Sequence, residues 1–282
     1  MIRTAENIVF KFQEETKMAK IGFIGMGNMA GAIMKGSLKT FAPEEIIFFD
    51  ANAAQAEKVT AETGVQHVSS NIELIGQVKY IVLAVKPQVL PAVMAEIKGL
   101  VKEDQVVISI AAGFAIADLV AGIGEGTRVV RVMPNTPALV GEGMAGVAYD
   151  AEKLNDEEKA MVETLFTSIG KMELVNENMM DVVASASGCS PAYVYMFIEA
   201  LADGCVKNGL PRALAYKMVA QAVLGSAKMV LETGMHPGEL KDMVCSPGGT
   251  TIEGLAALEE NNFRGAIIKA CDANFQKNKL LK

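Results

Sequence analysis

The chain alternates between short, wholly apolar runs and longer stretches in which apolar residues return every three or four positions. Residues 21–24 (IGFI), 46–49 (IIFF), 80–85 (YIVLAV) and 106–110 (VVISI) are such runs, and 65–68 and 127–133 read as two further strands. An apolar run without alternation predicts a strand buried on both faces, and the helical stretches between supply its cover. Residues 51–62 read as a helix closed by Gly64, and Asn71 reads as the cap of a short helix with Glu73 in its first turn. Asn155 reads as the cap of a helix over 155–170, and 171–175 as a last strand. The expected architecture is a doubly wound parallel sheet.

Beyond Asn178 only helical periodicity remains. Ser190-Pro191 reads as an N-cap followed by proline, and Val194, Ile198, Leu201 and Cys205 recur at helical spacing. Gly209 ends that helix and Pro211 opens the next, PRALAYKMVAQAVLGSAKMVLETG, which is apolar or small on nearly every face. Such a helix needs cover on nearly every side. A helical unit of about a hundred residues is too small to supply it alone, so interlocking with a second copy of the chain is expected.

Composition sharpens this. The hydrophobic fraction is 51% and the mean hydropathy +0.28, yet Asp118, Glu199, Asp203, Lys217 and Lys228 interrupt every candidate membrane span. The surplus apolar surface therefore points to subunit contacts. A net charge of -7 weighs against a nucleic-acid partner. Cys189, Cys205, Cys245 and Cys271 are widely spaced and the chain has two histidines, a pattern that fits neither a zinc site nor a disulfide framework. A reducing cytoplasm is the expected location. Residues 1–17 lack the apolar run of a signal peptide and read as an extension, with Met18 as an alternative start.

The chemistry begins at Gly25-Met26-Gly27-Asn28-Met29-Ala30, G-x-G-x-x-A between a strand and a helix. The first glycine allows the tight turn, the second lets backbone approach a pyrophosphate, and the helix N-terminus offers N–H groups to the phosphates. In such a sheet the ligand crosses the carboxyl ends of the strands. That selects Asp50, Asn71, Ala84, Val85, Lys86 and Pro87, followed by 111–113 and 134–137. Asp50, about twenty residues past the glycines, stands where a carboxylate binds the ribose hydroxyls of NADH and would repel the extra phosphate of NADPH. Its other reading is a cap for the next helix. A second cradle is CSPGGTTIE at 245–253. Thr250 and Glu253 read as a capping box, and Ser246, Pro247, Gly248 and Gly249 form a loop too small to shield its own N–H groups. Without a P-loop lysine, its best-matched ligand is a small carboxylate.

These stretches resemble the pyrroline-5-carboxylate reductase family. GFIGMGNMA at 22–30, AVKP at 84–87, SIAAG at 109–113, MPNTPA at 133–138, SGCSPAY at 187–193 and HPGELKDMVCSPGGTTIEGL at 236–255 fall in the family's order. The resemblance covers the chain from Met18 onward. It implies reduction of 1-pyrroline-5-carboxylate to L-proline by hydride from NADPH or NADH, without a metal. It implies that Gly25, Met26, Gly27, Asn28 and Met29 hold the pyrophosphate, and that Asn71 and Ala84, Val85, Lys86 and Pro87 line the adenosine and ribose side. It implies that Ser246, Gly248, Gly249, Thr250 and Thr251 hold the substrate carboxylate, with Thr251 catalytic beside the ring nitrogen. Family members form homodimers through their C-terminal helices, often assembled into decamers. Many relatives carry serine at the place of Cys189.

The resulting division is an extension over 1–17, a dinucleotide-binding Rossmann domain over 18–176, and an all-α substrate-binding and dimerisation domain over 177–282. A β-hydroxyacid dehydrogenase is the enzyme alternative, but it needs a lysine early in the second domain, and 185–199 contain none. A nucleotide-sensing regulator is the other alternative, and the basic stripe or recognition helix it would need is missing.

Overall fold

The structure is a computed structural model that describes residues 19–280; the extension over 1–17 and the start at Met18 lie outside the described residues. Strand and helix alternate from the outset: β1 (Ile21–Ile24), α1 (Asn28–Ser37), β2 (Ile46–Phe49), α2 (Ala53–Thr63), β3 (Gln66–His67) and α3 (Asn71–Gln77). Then follow β4 (Tyr80–Leu83), α4 (Leu90–Ile97), β5 (Val106–Ser109), α5 (Ile116–Ile123) and β6 (Arg128–Met133). A strand β7 (Gly143–Tyr149), a helix α6 (Asp156–Thr167) and β8 (Gly170–Leu174) complete one sheet of order β3-β2-β1-β4-β5-β6-β7-β8.

Along each central strand every residue is buried, and successive side chains go to opposite faces. Phe23, Tyr80 and Val82 pack against α1, α2 and α6 on one face, while Ile24, Ile81 and Leu83 pack against α3, α4 and α5 on the other. The absence of polar alternation in these strands thus follows from cover on both sides. The expectation of an all-parallel sheet needs one correction: β7 runs antiparallel to β6. The connection between them spans only residues 134–142, including the short 3-10 turn Thr136–Val140. A parallel crossover needs a dozen residues or more, so the chain turns back.

The helical half starts with α7 (Met180–Val183), which passes through a π-helical turn, Ala184–Gly188, into α8 (Ser190–Lys207). Next come α9 (Arg212–Thr233), α10 (Pro237–Met243), α11 (Thr250–Glu260) and α12 (Phe263–Lys279). Segment 180–188 lies directly on β7, where a Cβ at Gly146 would stand 2.5 Å from the Val183 side chain. The core between α8 and α9 is small, centred on Ala202, Ala215 and Val219. Met196, Met218, Leu224, Leu231 and Ile268 are left exposed, Leu231 at 82%.

Three caps differ from the expectation. Ser70, not Asn71, caps α3, its hydroxyl accepting the Glu73 N–H at 3.1 Å. Ser190 caps nothing, because the chain is already helical there and its hydroxyl donates back to the Ala186 carbonyl. Gly249 precedes α11 with no side-chain cap, so Thr250 and Glu253 form no capping box. Asn155 does cap α6 in a reciprocal box with Glu158.

Candidate functional site

Strand register builds the nucleotide half. Ile24 is level with Phe49 and Leu83, and Leu83 with Ser109, so the residues just beyond share one edge. Gly25, Asp50, Ala84 and Val85 are thereby brought together. Gly25 has φ +91, and a Cβ there would lie 2.8 Å from Val85 and 3.1 Å from the Ala84 carbonyl, so both backbone angle and packing require glycine.

Gly27 is different. It has ordinary extended angles, φ -77 and ψ -175, and a Cβ on it would meet no atom of the described residues within 4 Å. Nothing in the fold demands glycine at this exposed position, which leaves close approach of a ligand as its physical reason. The N–H groups of Asn28, Met29 and Ala30 open α1 before its first internal bond, Gly31 N–H to the Gly27 carbonyl at 2.9 Å. The cradle therefore fits a dinucleotide pyrophosphate.

Asp50 ties this turn down. Its Oδ2 accepts the Met26 N–H at 2.7 Å and its Oδ1 the Asn52 N–H at 2.8 Å. The cap of α2 is Asn52, which accepts from the Gln55 N–H, so Asp50 is not that cap. Gln55 Nε2 donates to the Met26 carbonyl at 3.1 Å, so both backbone groups of Met26 are held from the second βα unit. Sequence reasoning missed Gln55, and only its place in the first turn of α2 could have pointed to it.

Asn71 opens α3, buried, with Nδ2 donating to Glu96 at 2.7 Å while its Oδ1 has no partner among the described residues. Glu96 was also missed, and no local signal marks a partner 25 residues away. Lys86 is exposed, and its carbonyl accepts the Val89 and Leu90 N–H groups to open α4. A cleft of about 510 Å³ shares Met26, Gly27 and Asn28 but runs along α1 toward Lys35 and Lys39, away from the strand ends.

At the far side of the edge, Asn135 Oδ1 accepts the Met144 N–H at 2.9 Å and Nδ2 donates to the Ser187 carbonyl at 3.0 Å. The loop after β6 is thus bonded to the π turn that begins the helical half.

The second cradle is a tight turn. Gly249 N–H donates to the Ser246 carbonyl at 3.0 Å, Gly248 has φ +66, and a Cβ on Gly249 would collide with Ser246. Ser246, Thr250 and Thr251 are exposed, and α11 follows at once. His236 caps α10, its Nδ1 accepting the Gly238 N–H at 3.1 Å, which accounts for one of the two histidines without chemistry. Among the described residues no hydrogen bond or ion pair joins 245–251 to 19–176, so one chain does not bond the two cradles to each other. All four cysteines are free, no group of three or more acidic, histidine or cysteine side chains could hold a metal, and no helix is long and apolar enough to cross a membrane, again among the described residues.

Comparison with known proteins gives the following. Residues 177–281 match the family model described as pyrroline-5-carboxylate reductase dimerisation, so the helical half carries a dimerisation region. Residues 20–113 match the model described as NADP oxidoreductase, coenzyme F420-dependent. The pyrroline-5-carboxylate reductase of Escherichia coli (strain K12) is 45% identical over 264 residues, 93% of this chain and 98% of its own. A Plasmodium falciparum pyrroline carboxylate reductase solved with NADP bound superposes with a TM-score of 0.84 at 36% identity, over 94% of this chain and 98% of that one. The Coxiella burnetii pyrroline-5-carboxylate reductase gives 0.86 at 32% identity, over 94% and 99%.

Proposed function

The chain belongs to the pyrroline-5-carboxylate reductase family, and from that membership we propose that it reduces 1-pyrroline-5-carboxylate to L-proline with NADPH or NADH, the last step of proline biosynthesis. The observation that carries this is the pair of glycine turns, each leading into a helix N-terminus whose N–H groups suit an anion, a pyrophosphate at α1 and a small carboxylate at α11 on this reading.

The division of labour follows from their chemistry. Gly25, Met26, Gly27, Asn28 and Met29 hold the pyrophosphate, and Asp50, Asn71 and the 84–87 segment line the nucleoside side. Asn71 acts there through its place at the start of α3, its side chain being buried and bonded to Glu96. Bound nicotinamide supplies the hydride. The turn 246–251 holds the substrate carboxylate on backbone N–H groups and so orients the ring. Adding hydride to a C=N bond is eased when the nitrogen already carries a proton, and the substrate brings that proton as an iminium ion. Thr251 then has only to hydrogen-bond the nitrogen and fix the face presented to the hydride. No nucleophile, metal or strongly shifted acid is required of the protein.

We assign residues 18–176 to the nucleotide domain and 177–282 to the substrate and dimerisation domain; the end of β8 at Leu174 and the match beginning at 177 support that division. The apolar faces of α8, α9 and α12 support interlocking of two chains, and further assembly to a decamer is part of the same reading. Free cysteines support a cytoplasmic location. The test is oxidation of NADPH or NADH by the pure protein, followed by nicotinamide absorbance, with and without pyrroline-5-carboxylate. Oxidation that ignores the imine would refute the assignment.

A further inference from the structure

The helical half meets the sheet through a small polar cluster around segment 181–187. Asp181 Oδ1 accepts from Asn278 Nδ2 at 3.0 Å and from Arg131 at 3.4 Å. One helical turn on, the Ser185 hydroxyl donates to Asn274 Oδ1 at 2.6 Å. Asn274 and Asn278 stand four residues apart on one face of α12, matching the four-residue step from Asp181 to Ser185. On the sheet side, Arg131 and Asn135 hold Asp181 and the Ser187 carbonyl. Asp181, Ser185, Asn278 and Arg131 are all buried.

Two consequences follow. Helices α8 to α11 form an arm whose root, the π turn, and whose return, α12, are fastened at one place. Among the described residues, no hydrogen bond or ion pair joins residues 190–272 to the sheet half, so this cluster is the arm's polar attachment. The bonds are also directional. The apolar contacts of Met180 and Ala184 with Met133 tolerate small sliding and rotation, whereas a hydroxyl-to-amide bond at 2.6 Å inside a π turn fixes one register. A π turn carries one residue more than an α turn, so loss of its side bonds would let it relax and rotate everything beyond Ser190.

We propose that Ser185, Asn274 and Asn278 are positioning residues for hydride transfer: they set the angle at which the arm carries the 246–251 turn. This rests on reading that turn as the substrate carboxylate site. Displacing reacting groups by about 1 Å can cost about a hundredfold in rate, and this attachment is where a small rotation is magnified along the arm.

The test uses the full chain with NADPH and pyrroline-5-carboxylate, comparing wild type with Ser185→Ala, Asn274→Ala and the double variant. Each single variant should lower kcat by about fivefold or more while leaving the KM for NADPH within about twofold, because the α1 cradle is untouched. The deuterium isotope effect from NADPH labelled at the transferred position should rise, since only the hydride step is misaligned. The double variant should be no worse than the worse single one, because one bond is lost in each. Ser185→Thr, which keeps the hydroxyl, should retain most of the wild-type kcat, and serves as the comparison should Asn274→Ala not fold. Unchanged kcat and isotope effect in the alanine variants, or a fall in Ser185→Thr as deep as in Ser185→Ala, overturns the proposal. A wild type that does not oxidise NADPH on addition of the imine overturns instead the reading of the site on which it rests.

Discussion

The Asp50 carboxylate accepts the backbone N–H of Met26 at 2.7 Å, joining the end of β2 to the glycine turn across 24 residues. Two jobs therefore fall on one side chain. One oxygen holds the turn while the other accepts the Asn52 N–H, and on the proposed reading of the site its charge faces the nucleoside end of the dinucleotide.

Those jobs separate on substitution. Asp50→Asn keeps an acceptor for Met26, gives up the one for the Asn52 N–H and removes the charge, so NADPH should gain over NADH by about fivefold or more in the ratio of dissociation constants, through lost repulsion of the extra phosphate. Asp50→Ala removes the tie as well and should weaken both nucleotides. Paired titrations of the two variants decide it; an unchanged ratio in Asp50→Asn would show that the charge does not face the phosphate.

Gly25 and Gly27, two residues apart, should behave in opposite ways. Gly25→Ala forces a side chain into Val85 at φ +91 and should lower stability by about 1–3 kcal/mol. Gly27→Ala meets no atom of the described residues and should melt like the wild type, yet bind nucleotide about tenfold or more weakly, because its methyl group occupies the approach to the helix N-terminus. Thermal melts beside nucleotide titrations separate the two. Equal nucleotide affinity in Gly27→Ala would remove this glycine from the site.

That contrast also shows what the sequence can carry. G-x-G-x-x-A between strand and helix was legible, as were the strands at 46–49 and 106–110 and the Asn155 cap, because each depends on neighbours in the chain. Strand β7 was not: GMAGVAY carries two glycines and two alanines, residues with weak strand preference, and forms a strand because the short 134–142 link folds it back on β6. The shifts at Asn71 and Thr250 have a related cause: adjacent residues there can occupy the cap position, and only the backbone angles choose among them. Ser190 differs, because the π turn before it already makes the chain helical. Gln55, Glu96 and the Asp181–Asn278 pair are contacts between distant segments, and no local pattern encodes them.

Glu158 sits almost fully buried at the base of the sheet, 2.7 Å from Arg128 and 3.3 Å from Lys79. Burial alone would raise its pKa, but the Asn155 N–H, Arg128 and Lys79 together hold it below the ordinary 4.5. A carboxyl whose folded pKa is depressed stabilises the fold above its unfolded value and loses that contribution as pH falls through the folded value. Glu158→Gln should therefore cost about 3 kcal/mol near neutral pH, where it strands two cations. The gap to wild type should shrink in acid, below about pH 4.5. Urea unfolding of both proteins at neutral and acid pH checks it; a gap independent of pH would mean the carboxylate charge contributes nothing.

Leu231 lies 82% exposed near the end of α9, on a helix whose own packing buries little beyond Ala215 and Val219. If α9 is covered by a second chain, Leu231→Glu places a charge in that contact and should shift the protein toward monomer. Light scattering at micromolar concentration reads this directly, and an unchanged mass would clear Leu231 from the interface. Met218→Glu, on the same helix and 56% exposed, extends the test along the surface.

Thr251 is the one side chain assigned to the reacting nitrogen, and its hydroxyl is exposed at the first turn of α11. The surrounding turn owes its shape to Gly248 and Gly249 and to the Ser246 carbonyl, none of which depends on Thr251. Thr251→Ala should therefore leave the turn and the carboxylate site standing and remove only the hydrogen bond to the ring nitrogen. A bond of that kind to a charged group contributes about 1.5–3 kcal/mol, so kcat/KM for the imine should fall by about tenfold or more. Thr251→Ser, which keeps the hydroxyl, should recover most of it. Nucleotide affinity should not change in either variant, since the α1 cradle is built from other residues. Full activity in Thr251→Ala would leave orientation of the ring on the backbone N–H groups alone.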